Sequence, residues 1–317
     1  MRYRRLGNSG LSVSVVGIGC NNFGRKLDAA ATAAVVDAAI DQGITLFDTA
    51  DVYGDPRGAS EELLGAALKA NGRRADVVIA TKFGNPMDGL NGPDWDARGS
   101  RRYIQRAVEA SLRRVGTDHI DLYQLHRPDT ATPIEETLSA LDGLVRAGKV
   151  RYLGSSNFAG WQIADAAWTA RSQHLTPFVS AQNEYSWIHR STEAEILPAC
   201  ERFGVGMLPF FPLASGLLTG KYKRDEAPAD GSRLAAGQWS GYLARAPWDV
   251  IEGLEAFAVK RDLSMTQVAI GGLAGKPAVA SVIAGATTPE QVRINAEAGA
   301  WEPTEADLAE LNALTQR

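Results

Sequence analysis

Short apolar runs alternate with longer amphipathic segments along most of the chain. The runs VSVVGIG, ITLFD, DVVIATK, HIDLYQLH, VRYLGSS, PFVSAQ, GVGMLPF and VASVIAG begin at positions 13, 44, 76, 119, 150, 177, 204 and 279. They are largely continuous in apolar residues rather than alternating, which predicts parallel strands covered on both faces. The segments between them carry helix starts: Ser60 before Glu61 and Glu62, Ser100, Pro133 before Glu135 and Glu136, and Thr192. Gly43, Gly116, Gly148 and Gly204 stand where those helices should stop.

Two segments depart from this rhythm. The start, YRRLGNSGLSVS, has Gly and Asn at its centre and predicts a small hairpin. From Tyr222 to Trp248 the chain is polar and rich in Gly, Ala and Pro, which predicts a lid, a binding loop or a locally disordered stretch after the seventh strand. Pro209 predicts that this strand ends early. The expected architecture is therefore α/β, one domain over residues 1–317, closed as a (β/α)8 TIM barrel. The rival, a doubly wound dinucleotide fold, needs GxGxxG at the first turn. GIGCNNFG has Gly17 and Gly19, but Asn22 holds the third glycine position.

Composition narrows the partners. At 45% hydrophobic over 317 residues the chain can bury a large core, and its net charge of -4 lacks the basic excess of a nucleic-acid binder. No apolar run approaches the ~18 residues of a membrane span, and the first residues lack the apolar core of a signal peptide. A soluble, cytoplasmic protein with no membrane partner is expected. Cys20 and Cys200 form no CxxC, and His119, His126, His174 and His189 have no ligand spacing, so neither a disulfide nor a metal site is expected. No sequence feature sets an oligomeric state.

Chemistry gathers at the strand ends, which converge on one face of such a barrel. Asp48 and Tyr53 follow the second strand, Lys82 the third and His126 the fourth. Adjacent strands lie ~4.8 Å apart, so the four can share one pocket. An ammonium beside a phenol favours the phenolate and lowers its pKa. Asp48 can hold Lys82, and His126 can donate to the oxygen that Tyr53 protonates. Each residue also has a structural role open to it: Asp48 as a turn cap, Tyr53 as a loop aromatic, Lys82 as an ion-pair partner and His126 as a core histidine.

A site of this kind needs a hydride donor, which side chains cannot supply. Ser155, Ser156 and Asn157 after the fifth strand and Gln182 after the sixth suit a carboxamide. Phe210, Ser215, Gly216, Leu217 and Lys221 after the seventh suit an aromatic ring and a diphosphate. Gly285, Thr287 and Thr288 precede a helix start that suits an anion.

The motifs FDTADVYG, ATKFG, YQLHRPD, GSSNF, AQNEY, PLASGLLTGKY and GATTPEQV together resemble those of the aldo-keto reductase superfamily, from about Gly7 to Asn295. The resemblance implies a barrel binding NADP(H) and reducing a small-molecule carbonyl substrate. It also implies Asp48, Tyr53, Lys82 and His126 as catalytic residues, with Tyr53 as general acid. By the same matching Gly19, Cys20 and Asn21 line the cofactor together with Asp48, Leu213 and Asn295. Ser156, Asn157 and Gln182 hold its carboxamide, and Phe210 stacks on the nicotinamide.

At the 2'-phosphate end the matching positions are Gly285, Thr288 and Gln291, with Arg293 offset, and none is the usual cationic clamp, so NAD(H) stays open. Phe210 and Phe211 replace a more polar pair. Asn22, Trp95 and Trp187, with Tyr53 and His126, are the expected substrate contacts, and Phe23, Trp239 and Tyr242 are further candidate walls. Two other functions are open: a nicotinamide-nucleotide-binding redox sensor with little or no turnover, as in the channel-associated branch of the superfamily, and a Schiff-base aldolase using Lys82.

Overall fold

We describe the protein from a computed structural model covering residues 1–228, 233–235 and 240–316; the candidate wall Trp239 lies outside the described residues. The chain opens with the expected antiparallel hairpin, β1 (Tyr3–Arg5) and β2 (Ser12–Ser14). All eight predicted runs then form strands: β3 (Val16–Gly19), β4 (Leu46–Asp48), β5 (Val78–Phe83), β6 (Ile120–Leu125), β7 (Val150–Ser156), β8 (Phe178–Glu184), β9 (Gly206–Phe210) and β10 (Val282–Gly285). They close as a parallel barrel in which β10 pairs with both β3 and β9.

Outside it lie α1 (Ala29–Asp41), α2 (Ala59–Asn71), α3 (Arg101–Val115), α4 (Ile134–Arg146), α5 (Gly160–Ser172) and α6 (Thr192–Phe203). The short α7 (Ser240–Ala244) falls within the segment after β9, followed by α8 (Trp248–Lys260), α9 (Met265–Ala274), α10 (Pro289–Ala298) and α11 (Glu305–Thr315). Ser100 caps α3 by accepting from the Tyr103 amide, and Gly116 and Gly204 end α3 and α6 in the left-handed region. Ser60 is the second residue of α2 and Thr192 the first of α6, so neither caps its helix. Their hydroxyls turn inward to donate to Cys20 O at 2.8 Å and Glu184 O at 2.7 Å.

The first predicted run is divided between two sheets. Ser14 closes the hairpin, donates to Val16 O at 2.6 Å and accepts from the Thr45 amide, and only then does the barrel strand begin. Pro209 does not end β9, which runs through to Phe210. The backbone of Met207 bonds Ala278 and Ala280 on the β10 side. By the two-residue period Pro209 faces that side too, where a single registered pair, Ile283 with Phe210, joins the strands. Its missing N–H therefore costs the ladder little.

The same period sorts the barrel interior by height. Leu46, Val78, Ala80, Leu122, Leu208 and Ile283 fill the lower interior, and Leu6 and Val13 of the hairpin segment join them from below. Two residues further along their strands, Leu46 gives way to Asp48, Ala80 to Lys82 and Leu122 to Gln124. The apolar stack thus ends in a polar layer at the carboxyl ends. Alternate residues such as Phe47, Ile79, Phe83 and Tyr123 point outward into the larger core under the helices.

The hairpin is seated on the barrel floor by Gly7 and Asn8. The Asn8 amide donates to Gly204 O at 2.7 Å. Gly7 has φ +56°, and a Cβ there would lie 2.5 Å from Gly204 O and 2.6 Å from Val179 O. Gly7→Ala is expected to destabilise the fold by at least about 2 kcal/mol, measured as a lower urea midpoint at unchanged slope.

Candidate active site

The polar layer is organised around one ammonium. Lys82 Nζ, fully buried, donates to Asp48 Oδ2 at 2.6 Å, to Thr49 O at 2.8 Å and to the Tyr53 hydroxyl at 3.4 Å. The other Asp48 oxygen accepts from Gln124 Nε2 at 3.1 Å and Gln182 Nε2 at 2.8 Å. Burial pulls the Lys82 pKa down, but the charge of Asp48 and the Tyr53 phenol outweigh it, so the net displacement is upward and the amine stays charged.

Tyr53 reaches this layer from the loop between β4 and α2. Its carbonyl accepts from the Gly58 and Ser60 amides, and its ring stands edge-on to His126 with centroids 5.7 Å apart. The expected depression of the phenol pKa is not the net result. Burial raises it and outweighs the lowering by Lys82, so the hydroxyl stays protonated above the ordinary tyrosine range.

His126 is driven the other way. Burial, then the positive charges of Lys82 and Arg127, push its pKa down to about 2, so the ring is neutral at physiological pH. Asn85 Nδ2 stands 3.0 Å from Nδ1, so the neutral ring accepts there and carries its proton on Nε2.

Above this layer opens a cavity of about 650 Å³. Asp48, Tyr53 and His126 share it with Gly19, Asn21, Asn22, Ser156, Asn157 and Gln182. It continues past Phe210, Leu213, Ser215, Gly216 and Lys221 to Gly285, Thr287, Gln291 and Asn295. The Asn157 side-chain amide donates to His126 O at 2.9 Å and Ser156 Oγ at 3.0 Å, and Gln182 spends its NH2 on Asp48, which leaves the Gln182 carbonyl to accept from a ligand. A Cβ at Gly216 would lie 3.2 Å from Lys221 Nζ, so glycine there lets the ammonium rest against the loop backbone. The donor set is that of a long ligand with an amide at one end and negative charge further along.

The model of the aldo/keto reductase family matches residues 15–316. The chain belongs to this family. A Bacillus subtilis relative named uncharacterized oxidoreductase YrpG is 39% identical, covering 92% of this chain and 89% of its own. A soybean relative named probable aldo-keto reductase 1 is 34% identical, covering 97% and 87%. A rice relative named probable voltage-gated potassium channel subunit beta is 37% identical, covering 94% and 91%.

Several expected contacts of this family member lie elsewhere. Trp187 is fully buried, donates to Val268 O at 3.0 Å and packs where Gly272 has no side chain, so it is a core residue and not a substrate wall. Trp95 is 64% exposed and lies under the Arg102 guanidinium, outside the cavity lining. The thiol of Cys20 turns to Ile18 O, Leu217 and Phe23 are buried, and Thr288 caps α10; none of their side chains lines the cavity. Arg293 pairs with Glu290 in the exposed first turns of α10, away from the lining. Tyr242 hydrogen-bonds Ser215, which brings α7 over the loop after β9.

Lys26, Arg127, Thr219, Thr266 and Ile294 line the cavity without having been singled out by sequence. Gln124 also escaped notice, although a polar residue in the buried run IDLYQL is a legible signal.

Because the folded His126 binds its proton far less readily than the unfolded chain, its contribution to stability is present above about pH 6.5 and declines as the pH falls below that value. Proton NMR of the folded protein is expected to show no His126 titration between about pH 8 and pH 5.

Proposed function

We propose that the chain is an NADP(H)-dependent oxidoreductase that reduces an aldehyde or ketone to an alcohol, with Tyr53 as the general acid. The observation that carries this reading is the contact of a protonated, half-buried phenol with a charged ammonium beneath it and a neutral imidazole beside it, phenol and imidazole facing one elongated cavity. The residues fit a nicotinamide dinucleotide: Ser156, Asn157 and the Gln182 carbonyl would hold its carboxamide, Phe210 its ring and Lys221 its diphosphate. When bound, that group supplies the hydride.

The protein's part is to place and charge-balance the carbonyl oxygen. Tyr53 donates its proton there, and Lys82 stabilises the phenolate left behind. His126 Nε2–H donates to the same oxygen and, being neutral, does not compete as an acid. Asp48 keeps Lys82 charged and placed. Small carbonyl compounds are the proposed substrates. The free, buried Cys20 and Cys200 suit a reducing compartment, and we place the protein in the cytoplasm.

A second reading, a nucleotide-binding redox sensor with little turnover, is favoured by the relative named as a channel subunit. An aldolase is disfavoured by burial: a Schiff base needs a neutral, accessible amine, and Lys82 is neither.

Tyr53→Phe is expected to lower the kcat of aldehyde reduction by at least about 100-fold while leaving the NADPH dissociation constant nearly unchanged, and Lys82→Met to be similarly impaired. Retention of most activity in Tyr53→Phe overturns the mechanism. Fluorescence titration is expected to show tighter binding of NADPH than NADH; equal affinities would remove the NADP(H) preference. Tight binding without turnover of any aldehyde would favour the sensor.

A further inference from the structure

Behind the site lies a buried polar ring that the reaction does not use directly. Asp51, two residues before Tyr53, is fully buried; its amide donates to Lys82 O at 3.0 Å, and its Oδ2 accepts from Asn91 Nδ2 at 2.9 Å. Asn91, in the segment between β5 and α3, accepts in turn from Arg114 Nη1 at 3.2 Å. Arg114 Nε donates to Glu61 Oε2 at 2.6 Å, and Glu61 Oε1 accepts from Thr81 Oγ1 at 2.6 Å. Thr81 precedes Lys82, so the circuit closes on the strand residue that carries the ammonium. Arg114 also presses on the loop itself: a Cβ at Gly58 would lie 2.6 Å from Arg114 Cδ, and the Gly58 amide donates to Tyr53 O at 3.1 Å.

The one guanidinium here pairs directly with Glu61 and reaches Asp51 only through Asn91, and Asp51 Oδ1 has no partner among the described residues. Burying a carboxyl with one side-chain donor is unfavourable, and a hydrophobic residue would hold a loop at less cost. What the carboxyl adds is a directional bond between the Tyr53 loop and the segment after β5. Resting on the reading of Tyr53 as the acid, we propose that Asp51 and Asn91 are positioning residues: their bond, anchored through Arg114 and Glu61, sets the Tyr53 hydroxyl against the Lys82 ammonium.

The test uses Asn91→Ala, Asp51→Ala and Asp51→Asn in the whole protein, with 4-nitrobenzaldehyde and saturating NADPH. Both alanine variants are expected to lose roughly tenfold to a hundredfold in kcat, with the aldehyde KM and the NADPH dissociation constant within about twofold of wild type. The alkaline limb of the kcat profile should move to higher pH, because a phenol further from the ammonium holds its proton longer. Asp51→Asn, which keeps an acceptor for Asn91, should recover most of the loss, and the double alanine variant should be no worse than either single one.

Near-ultraviolet phenolate titration without cofactor, taken as the difference from a Tyr53→Phe counterpart, should show the same upward shift. A lower melting temperature with unchanged kcat, limb and phenolate titration overturns the proposal and leaves the ring a purely structural element. If the wild type reduces no aldehyde, the phenolate titration alone decides: a shift upholds the positioning role while the proposed reaction fails, and no shift removes both. If Asp51→Ala does not fold, Asn91→Ala and the milder Asn91→Ser carry the test.

Discussion

The ion pair between Lys82 and Asp48 is the constraint around which the top of the barrel is arranged. Both charges lie out of water, where an unbalanced one would be very costly, so every lone pair and proton near them needs a partner. Thr49 O and the Tyr53 hydroxyl take up the rest of the ammonium, and the amides of Gln124 and Gln182 take up the second carboxylate oxygen. The layer is therefore both a structural lid on the apolar interior and the charged base of the site. A phenol placed against such an ammonium is an acid whose conjugate base already has its counterion.

That arrangement needs space as well as charge. Gln124 reaches Asp48 because β7 presents Gly154 at the neighbouring position; a Cβ there would lie 3.0 Å from Gln124 Cγ and 2.2 Å from Ser180 Oγ. Below, Leu46, Ala80 and Leu122 pack with Val78, Leu208 and Ile283 in one apolar cluster. The cavity opens at the carboxyl ends, where the loops after β3, β9 and β10 supply much of its wall.

Most of this was readable from the chain. Eight apolar runs gave eight strands because a strand buried on both faces must be apolar throughout, and the exceptions at their ends are the groups that form the polar layer and line the cavity. Asp48, Tyr53 and His126 do share one pocket, with Lys82 bonded to the first two from beneath it, and Asn22, Ser156, Asn157, Gln182 and the small residues after β9 line it too. The aromatic candidates fared worse: Trp187 is core and Trp95 is surface, since a large ring carries no signal of whether it faces a cavity or a neighbouring helix. The strand signal at Pro209 also misled, because an N–H is needed only where a partner strand waits for it.

By itself the sequence determined the order of elements, the inward face of each strand and the phenol, ammonium and imidazole that meet at the strand ends, all of which follow from local periodicity and from where a buried run ends. The tertiary structure alone decided the sign of each pKa displacement, the joining of Gln124 and Gln182 on one carboxylate, and the ring through Asp51, Asn91, Arg114 and Glu61. Burial and charge proximity depend on residues distant in the chain, and no short stretch of sequence encodes the distance between them.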